Sequence, residues 1–263
     1  MEKVIITATV ANSWIYPELK NWAVDNKGLI KDAIQCAEAG AAIIHIHLPR
    51  SKEATEIVAQ IREQSDVIIQ AGMSSYPIEQ RITDFESRPD MLSVILNHHA
   101  EVFTNVQVDQ LHTLNELELY AEKSRRYKIK LEFEVWHTGS YWNLNYLINK
   151  NLLDPPYYLT LFFGWPGGTW CPPTIDSFLY LKKYMPKDSV YSVSIMGKEQ
   201  RQILPLAILN GGNIRVGTED NPFIKENVPA KNNAEIVKDA INLCRALGRE
   251  IADPSEARKI IKI

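Results

Sequence analysis

The sequence predicts a (β/α)8 TIM barrel, an α/β fold, and three observations lead there. Short β-branched runs alternate with amphipathic helical stretches over the whole chain. Eight such runs fit within 263 residues, the length of one large α/β barrel. Repeated strand-then-helix order also implies a parallel sheet. An open doubly wound sheet is the other arrangement compatible with that order. No Pro/Gly/Ser-rich linker, internal repeat or low-complexity tract interrupts the chain, so residues 1–263 are expected to form one domain.

The expected strands are 4–10, 42–48, 67–70, 91–95, 129–136, 158–163, 190–195 and 213–216. Each is a short run rich in β-branched and other apolar residues. Helical periodicity is clearest over 29–39, 54–63, 114–125, 178–184, 199–209 and 234–247. Gly40, Gly211 and Gly248 stand where helices of these lengths would stop.

Residues two apart on a strand share a face. The second strand therefore sets Ile44, Ile46 and Leu48 against His45 and His47. The first sets Ile6, Ala8 and Val10 against Thr7 and Thr9, and the fifth sets Leu131, Phe133 and Val135 against Glu132 and Glu134. The seventh opposes Val193 and Ile195 to Ser192 and Ser194; the eighth opposes Ile214 and Val216 to Asn213 and Arg215. In a barrel the apolar faces pack under the helices, so the polar faces point into the lumen. Active sites of this fold lie at the C-terminal ends of the strands.

Bulk composition narrows the partners. The net charge is −3 with no Lys/Arg block, which argues against nucleic acid and anionic membrane surfaces. Apolar stretches such as Ala41–Ile44 and Leu161–Phe163 are far too short to span a bilayer. Met1-Glu2-Lys3 leads directly into a strand-like segment, and the three cysteines lack CxxC spacing, so a cytoplasmic protein with reduced thiols is expected. Neither a Walker motif nor GxGxxG occurs.

His45-Ile46-His47 is the sharpest local signal. On a strand both imidazoles project the same way and suit one ion, whereas on a helix they diverge by about 200°. Two hydrogen-bonded core histidines are the alternative reading. Placement at the C-terminal end of an apolar strand, with carboxylates on other strands, favours a divalent metal, with zinc expected. A catalytic site needs a third ligand and open positions. Glu219, of the same parity as Arg215, is the best-placed carboxylate, and a turn cap beside Asp220 is its other role. His112 is expected to be solvated, while His98-His99 belongs either to the lumen or to a loop. Amidohydrolase-type barrels also use HxH, but on the first strand and with further ligands on later strands.

Several blocks of the chain resemble the β-keto acid cleavage enzymes. They are Ile5-Ile6-Thr7-Ala8, Glu38 through His47, Glu132-Phe133-Glu134-Val135, Gly164-Trp165-Pro166-Gly167-Gly168, and Gly211 through Asn221. The resemblance implies one Zn2+ per chain bound by His45, His47 and Glu219. It implies acetyl-CoA as co-substrate: a β-keto acid and acetyl-CoA give acetoacetate and a new acyl-CoA. It implies Asp220 as the base with Arg215 and Glu134 positioning or tuning it, Ser93 as a substrate-contacting hydroxyl, and a homo-oligomer. The chemistry suits the residues. A metal that chelates the carboxylate and ketone stabilises the carbanion formed between them, and a guanidinium keeps the base ionised and aimed.

The departures from the family pattern cluster around the substrate. The usual Ser-Thr-Gly-Gly is Gly72-Met73-Ser74-Ser75 here, so Ser74 or Ser75 is the expected replacement for a missing hydroxyl. The usual arginine after HxHx is displaced by Pro49 to Arg50, and Leu96-Asn97-His98-His99 replaces a glycine-rich turn. A diverged, non-catalytic metal- or metabolite-binding barrel is the alternative that these changes leave open. Trp14 stands where the amino-substrate member of the family carries an acidic residue, so an uncharged or apolar β-keto acid is the expected substrate.

Overall fold

A computed structural model describes residues 2–10, 25–101, 108–164 and 171–263. Eight parallel strands close into a barrel. In chain order they are β1 (Ile6–Thr9), β2 (Ile43–Ile46), β3 (Ile68–Ala71), β4 (Met91–Ile95), β5 (Lys130–Val135), β6 (Tyr157–Phe163), β7 (Ser189–Ile195) and β8 (Asn213–Gly217). Closure comes from β1, which pairs with β2 on one side and with β8 on the other, with Thr7 opposite both Ile43 and Arg215. The fold is the predicted (β/α)8 barrel, not the open sheet.

Strand parity sorts the side chains as expected. Ile6, Ala8, Ile44, Ile46, Leu131, Phe133, Val193, Ile195, Ile214 and Val216 belong to one buried cluster shared with the helices. The helix Asn233–Ala246 shows how that layer forms. Asn232 accepts from the Glu235 amide as N-cap, and Ile236, Val237, Ala240, Ile241 and Cys244 make one buried stripe. Apolar side chains of this size each gain about 1.5–3 kcal/mol on full burial, so the helix ring is held mainly by this face.

Among the described residues three α-helices lie outside the periodicity reading. Ile82–Glu86 is only five residues long, and Ser140–Asn149 carries three asparagines that blur its stripe. The third, Pro254–Ile261, begins with a capping box between Asp253 and Glu256 and has Pro254 in its first turn. Its Ala257 and Ile261 pack against Ile5, Ile43, Ile68, Met91 and Tyr158, the residues at the starts of the strands. The N-terminal end of the barrel is thereby plugged with apolar side chains, and the polar lumen above faces the C-terminal end.

Among the described residues two hairpins sit at that end, and the smaller pairs Phe223–Lys225 with Val228–Pro229 after β8. After β4 the chain forms an antiparallel hairpin, His98–Glu101 with Val108–Leu111. His98 hydrogen-bonds Asp109 across it, and His99 is buried 6.1 Å from the Trp136 ring. His112, expected in solvent, is buried instead. Its Nδ1 lies 3.3 Å from Glu116 Oε1 in the first turn of the following helix.

Candidate active site

The two histidines come from the top of β2. His45 is inside the strand and His47 one residue beyond its end, so both rings enter the lumen on the same side. Their Nε2 atoms lie 3.3 Å apart. Glu219 reaches them from across β1, with Oε2 at 3.4 Å from His45 Nε2 and Oε1 at 3.4 Å from His47 Nε2. The three ligand atoms all lie within 4.8 Å of one another, which suits a single ion.

Local sequence explains how Glu219 and Asp220 are delivered. Gly217 ends β8 with φ 144, where a side chain would run into the backbone and hydroxyl of Thr9. The chain then turns, with Asp220 and Asn221 amides donating to the Gly217 carbonyl at 3.1 and 2.9 Å. Asn233, at the start of the last barrel helix, accepts from the Thr218 amide at 2.8 Å and fixes the turn from outside. Glu219 therefore reaches the lumen from a turn and not from strand parity.

Protonation fits metal binding. Burial, reinforced by the Arg215 charge, pushes the His45 imidazole down to about 3, so it is neutral. Its Nδ1 faces Gln70 Oε1 at 2.7 Å; with the proton on Nδ1 donating there, Nε2 carries a lone pair aimed at His47 and Glu219. Burial pushes the Glu219 carboxyl up, but Arg215, His47 and His45 outweigh it and hold it below the usual carboxylate range. Glu219 Oε2 has Arg215 Nη2 at 2.8 Å, yet no donor is aligned on it. A buried, ionised oxygen and a bare imidazole nitrogen converging on one point are the donors a divalent cation takes.

Arg215 organises the rest of the site. It is buried and donates to Asp220 through Nε and Nη2 at 3.1 and 3.0 Å, while its guanidinium lies 4.9 Å over the Phe162 ring. Ser194 donates to the same carboxylate at 2.9 Å. Burial pushes Asp220 up to about 6 against the pull of Arg215, which leaves it ionised at neutral pH and more basic than a surface aspartate. Glu134 accepts from Ser74 Oγ at 2.6 Å.

The remaining predicted positions divide. Ser75 is half-buried beside Ser74, whereas Ser93 is fully buried and its hydroxyl donates to the Ala71 carbonyl at 3.3 Å. Trp14 and the Trp165–Gly168 part of the glycine motif lie outside the described residues. Arg50 donates to Gln80 Oε1 at 2.6 Å, and its guanidinium lies 4.3 Å over the Tyr76 ring. At Gly72 a Cβ would stand 2.6 Å from His45 Nε2 and closer still to His47, so these imidazoles fill the volume that a side chain there would take.

Sequence reasoning missed two supports. Gln70 lies on the lumenal face of β3, a position its parity alone could have flagged. Arg81 is wholly buried and donates to the Gly72 and Ser93 carbonyls at 2.7 and 2.6 Å, tying the loop after β3 to β4; no periodic signal marks it.

The sequence pattern of the beta-keto acid cleavage enzymes matches residues 3–263. The chain belongs to that family. It is 30% identical to the 3-keto-5-aminohexanoate cleavage enzyme of Acetoanaerobium sticklandii, over 100% of this chain and 99% of that protein. It is 25% identical to the 3-dehydrocarnitine:acetyl-CoA trimethylamine transferase of Rhizobium meliloti, over 91% and 89%. Among solved structures, the ternary complex of ObcA with C4-CoA adduct and oxalate superposes with a TM-score of 0.74 at 16% identity, covering 92% of this chain and 68% of that one. At that identity the likeness is one of fold. As a beta-keto acid cleavage enzyme the chain is a carbon–carbon-cleaving acyltransferase, acting on small molecules. Among the described residues no helix is long and apolar enough to cross a membrane.

Proposed function

We propose that the chain is a zinc-dependent β-keto acid cleavage enzyme that uses acetyl-CoA, with Asp220 as its base. The observation that carries this is the convergence of His45, His47 and Glu219 beside a buried carboxylate–guanidinium pair, with Arg215 touching both Glu219 and Asp220. Relatives named as acetyl-CoA transferases support the co-substrate. The donor set of two imidazoles and one carboxylate supports zinc.

A divalent ion held by His45, His47 and Glu219 would supply Lewis-acid stabilisation to the carboxylate and ketone oxygens of the substrate. Asp220 removes a proton from the carbon between those two groups. Arg215 and Ser194 keep its carboxylate in one orientation. The carbanion attacks the thioester carbonyl of acetyl-CoA and expels CoA thiolate. The thiolate then attacks the original ketone carbon, and the bond from that carbon to the former methylene breaks. Acetoacetate leaves after its carbanion regains the proton from Asp220, and the remaining acyl group leaves on CoA. Glu134, held by Ser74 and acting on Arg215 through its charge, is a positioning residue. Ser74, Ser75, Ser93 and Trp14 are assigned to the substrate side of the site.

A cytoplasmic location and a homo-oligomer belong to the same proposal. Three free cysteines accord with a reducing compartment. The test is incubation with acetyl-CoA and a panel of β-keto acids. Acetoacetate should form only when both substrates are present. Its absence across the panel, with metal supplied, contradicts the proposal.

A further inference from the structure

The polarity of the lumen changes with height, and it does so on only one side of the barrel. On β4 to β7 the lumenal residues are polar at mid-height: Ser93, Glu132 and Glu134, Thr160, and Ser192 and Ser194. One step higher, the same four strands turn apolar and supply Ile95, Trp136, Phe162 and Met196, which pack into one cluster. On the opposite side the chain supplies Thr9, His47 and Glu219 near that height instead. The mouth is thus split into a polar half that gathers the metal ligands and an apolar half facing it.

This cluster is not part of the packing between strands and helices, from which it is separate. A polar layer lies beneath it, so it does not extend the apolar plug at the barrel bottom either. Trp136 and Phe162 stack with centroids 3.9 Å apart and form one continuous slab with no gap between the rings. The four side chains are 2–4% exposed, as enclosed as His45 at 2% and Glu219 at 7%. The two halves meet at Arg215, whose guanidinium spans from Glu219 at 2.8 Å to the Phe162 ring at 4.9 Å.

We propose that Ile95, Trp136, Phe162 and Met196 form the pocket for the substituent on the ketone carbon, and that they select a short uncharged hydrocarbon there. The inference rests on the function proposed above. With the carboxylate and ketone of a β-keto acid on the His45/His47/Glu219 side, the third arm of the ketone carbon points across Arg215 into the apolar half. That arm is the acyl group that departs on CoA. A hydrocarbon arm loses water contact at no polar cost, whereas an ammonium or carboxylate arm must shed its hydration among four apolar side chains. The Phe162 face is already taken by a guanidinium, so it has little to offer a second cation. A carboxylate arm meets Glu134 as well, which lies opposite Ile95 in the pairing of β4 with β5.

Three β-keto acids of matched length discriminate: 3-oxohexanoate, 5-amino-3-oxohexanoate and 3-oxoadipate. Both Kd, by calorimetry without acetyl-CoA, and kcat/KM for acetoacetate formation are read. Wild type should favour 3-oxohexanoate by about ten-fold or more in each. Met196→Ala should shift the ratio of 3-oxooctanoate to 3-oxohexanoate upward by about ten-fold, because it lengthens the pocket. Met196→Gln, nearly the same size, should lose the hydrocarbon preference, while Met196→Leu should keep it; circular dichroism shows that each variant is folded. The expected Kd order without any acetoacetate supports the pocket and refutes the cleavage reading. Acetoacetate formation with a charged substrate preferred, or size and charge preferences unmoved in folded variants, overturns the pocket and leaves the cleavage reading standing.

Discussion

Glu132→Gln should stabilise the metal-free protein by an amount that grows with pH. Glu132 is on the lumenal face of β5, wholly buried, with no donor aligned on either oxygen. Burial first, and then the neighbouring Glu134 charge, push its carboxyl from 4.5 up to about 8. The sign follows from which state holds the proton. Below pH 4.5 folded and unfolded chains are both protonated at this side chain, and nothing is lost. Between there and about pH 8 the folded chain keeps a proton that the unfolded chain releases, so stability falls as pH rises. Each pH unit of that interval is worth about 1.4 kcal/mol, giving a loss of a few kcal/mol with about 5 as its ceiling. Glutamine keeps the shape of the protonated acid and never ionises. Urea unfolding of wild type and variant, at about pH 5 and about pH 8.5, measures the difference. The variant should gain a few kcal/mol over wild type at the higher pH and little at the lower, or roughly 5–10 °C in Tm. An equal gap at both pH values, or a gap that narrows at high pH, refutes the reasoning.

Two further outcomes bear on the site. Asp220→Asn should retain metal and fold but lose about 10²–10⁴-fold in kcat, because an amide cannot accept the proton; a variant with most of its turnover shifts the base assignment to another group. Gln70→Leu should weaken metal affinity by about 10–100-fold, since His45 Nδ1 loses its acceptor at 2.7 Å; competition with a chelator reads this, and unchanged affinity removes Gln70 from the ligand support.

Strand alternation carries far in this chain because each barrel strand is polar on one face and apolar on the other. Ile44-His45-Ile46-His47 needed only that rule to be placed with its imidazoles in the lumen and its isoleucines under the helices. Parity with Arg215 points to Glu219, yet the side chain arrives beside the histidines by a turn beyond Gly217, and the parity rule does not hold past the strand end. What alternation cannot reveal is contact between distant segments. Arg81 matters because it spans two carbonyls from separate loops and strands, and Asn233 because a helix start clasps a turn far behind it in the chain. His112 looked solvated because its neighbours are polar, but Glu116 one helical turn on gives it a buried partner. The apolar half of the mouth was illegible for a related reason: Ile95, Trp136, Phe162 and Met196 each look like ordinary strand-end hydrophobics until closure of the barrel sets them side by side.

On the proposed function, His45, His47 and Glu219 together hold one catalytic divalent ion. Elemental analysis of protein purified without added metal tests it most directly, run on wild type and on the His45→Ala/His47→Ala double variant. Wild type should carry about one zinc per chain and the variant essentially none, because a lone carboxylate does not retain the ion. A wild type without divalent metal, or a double variant with its full complement, contradicts the claim.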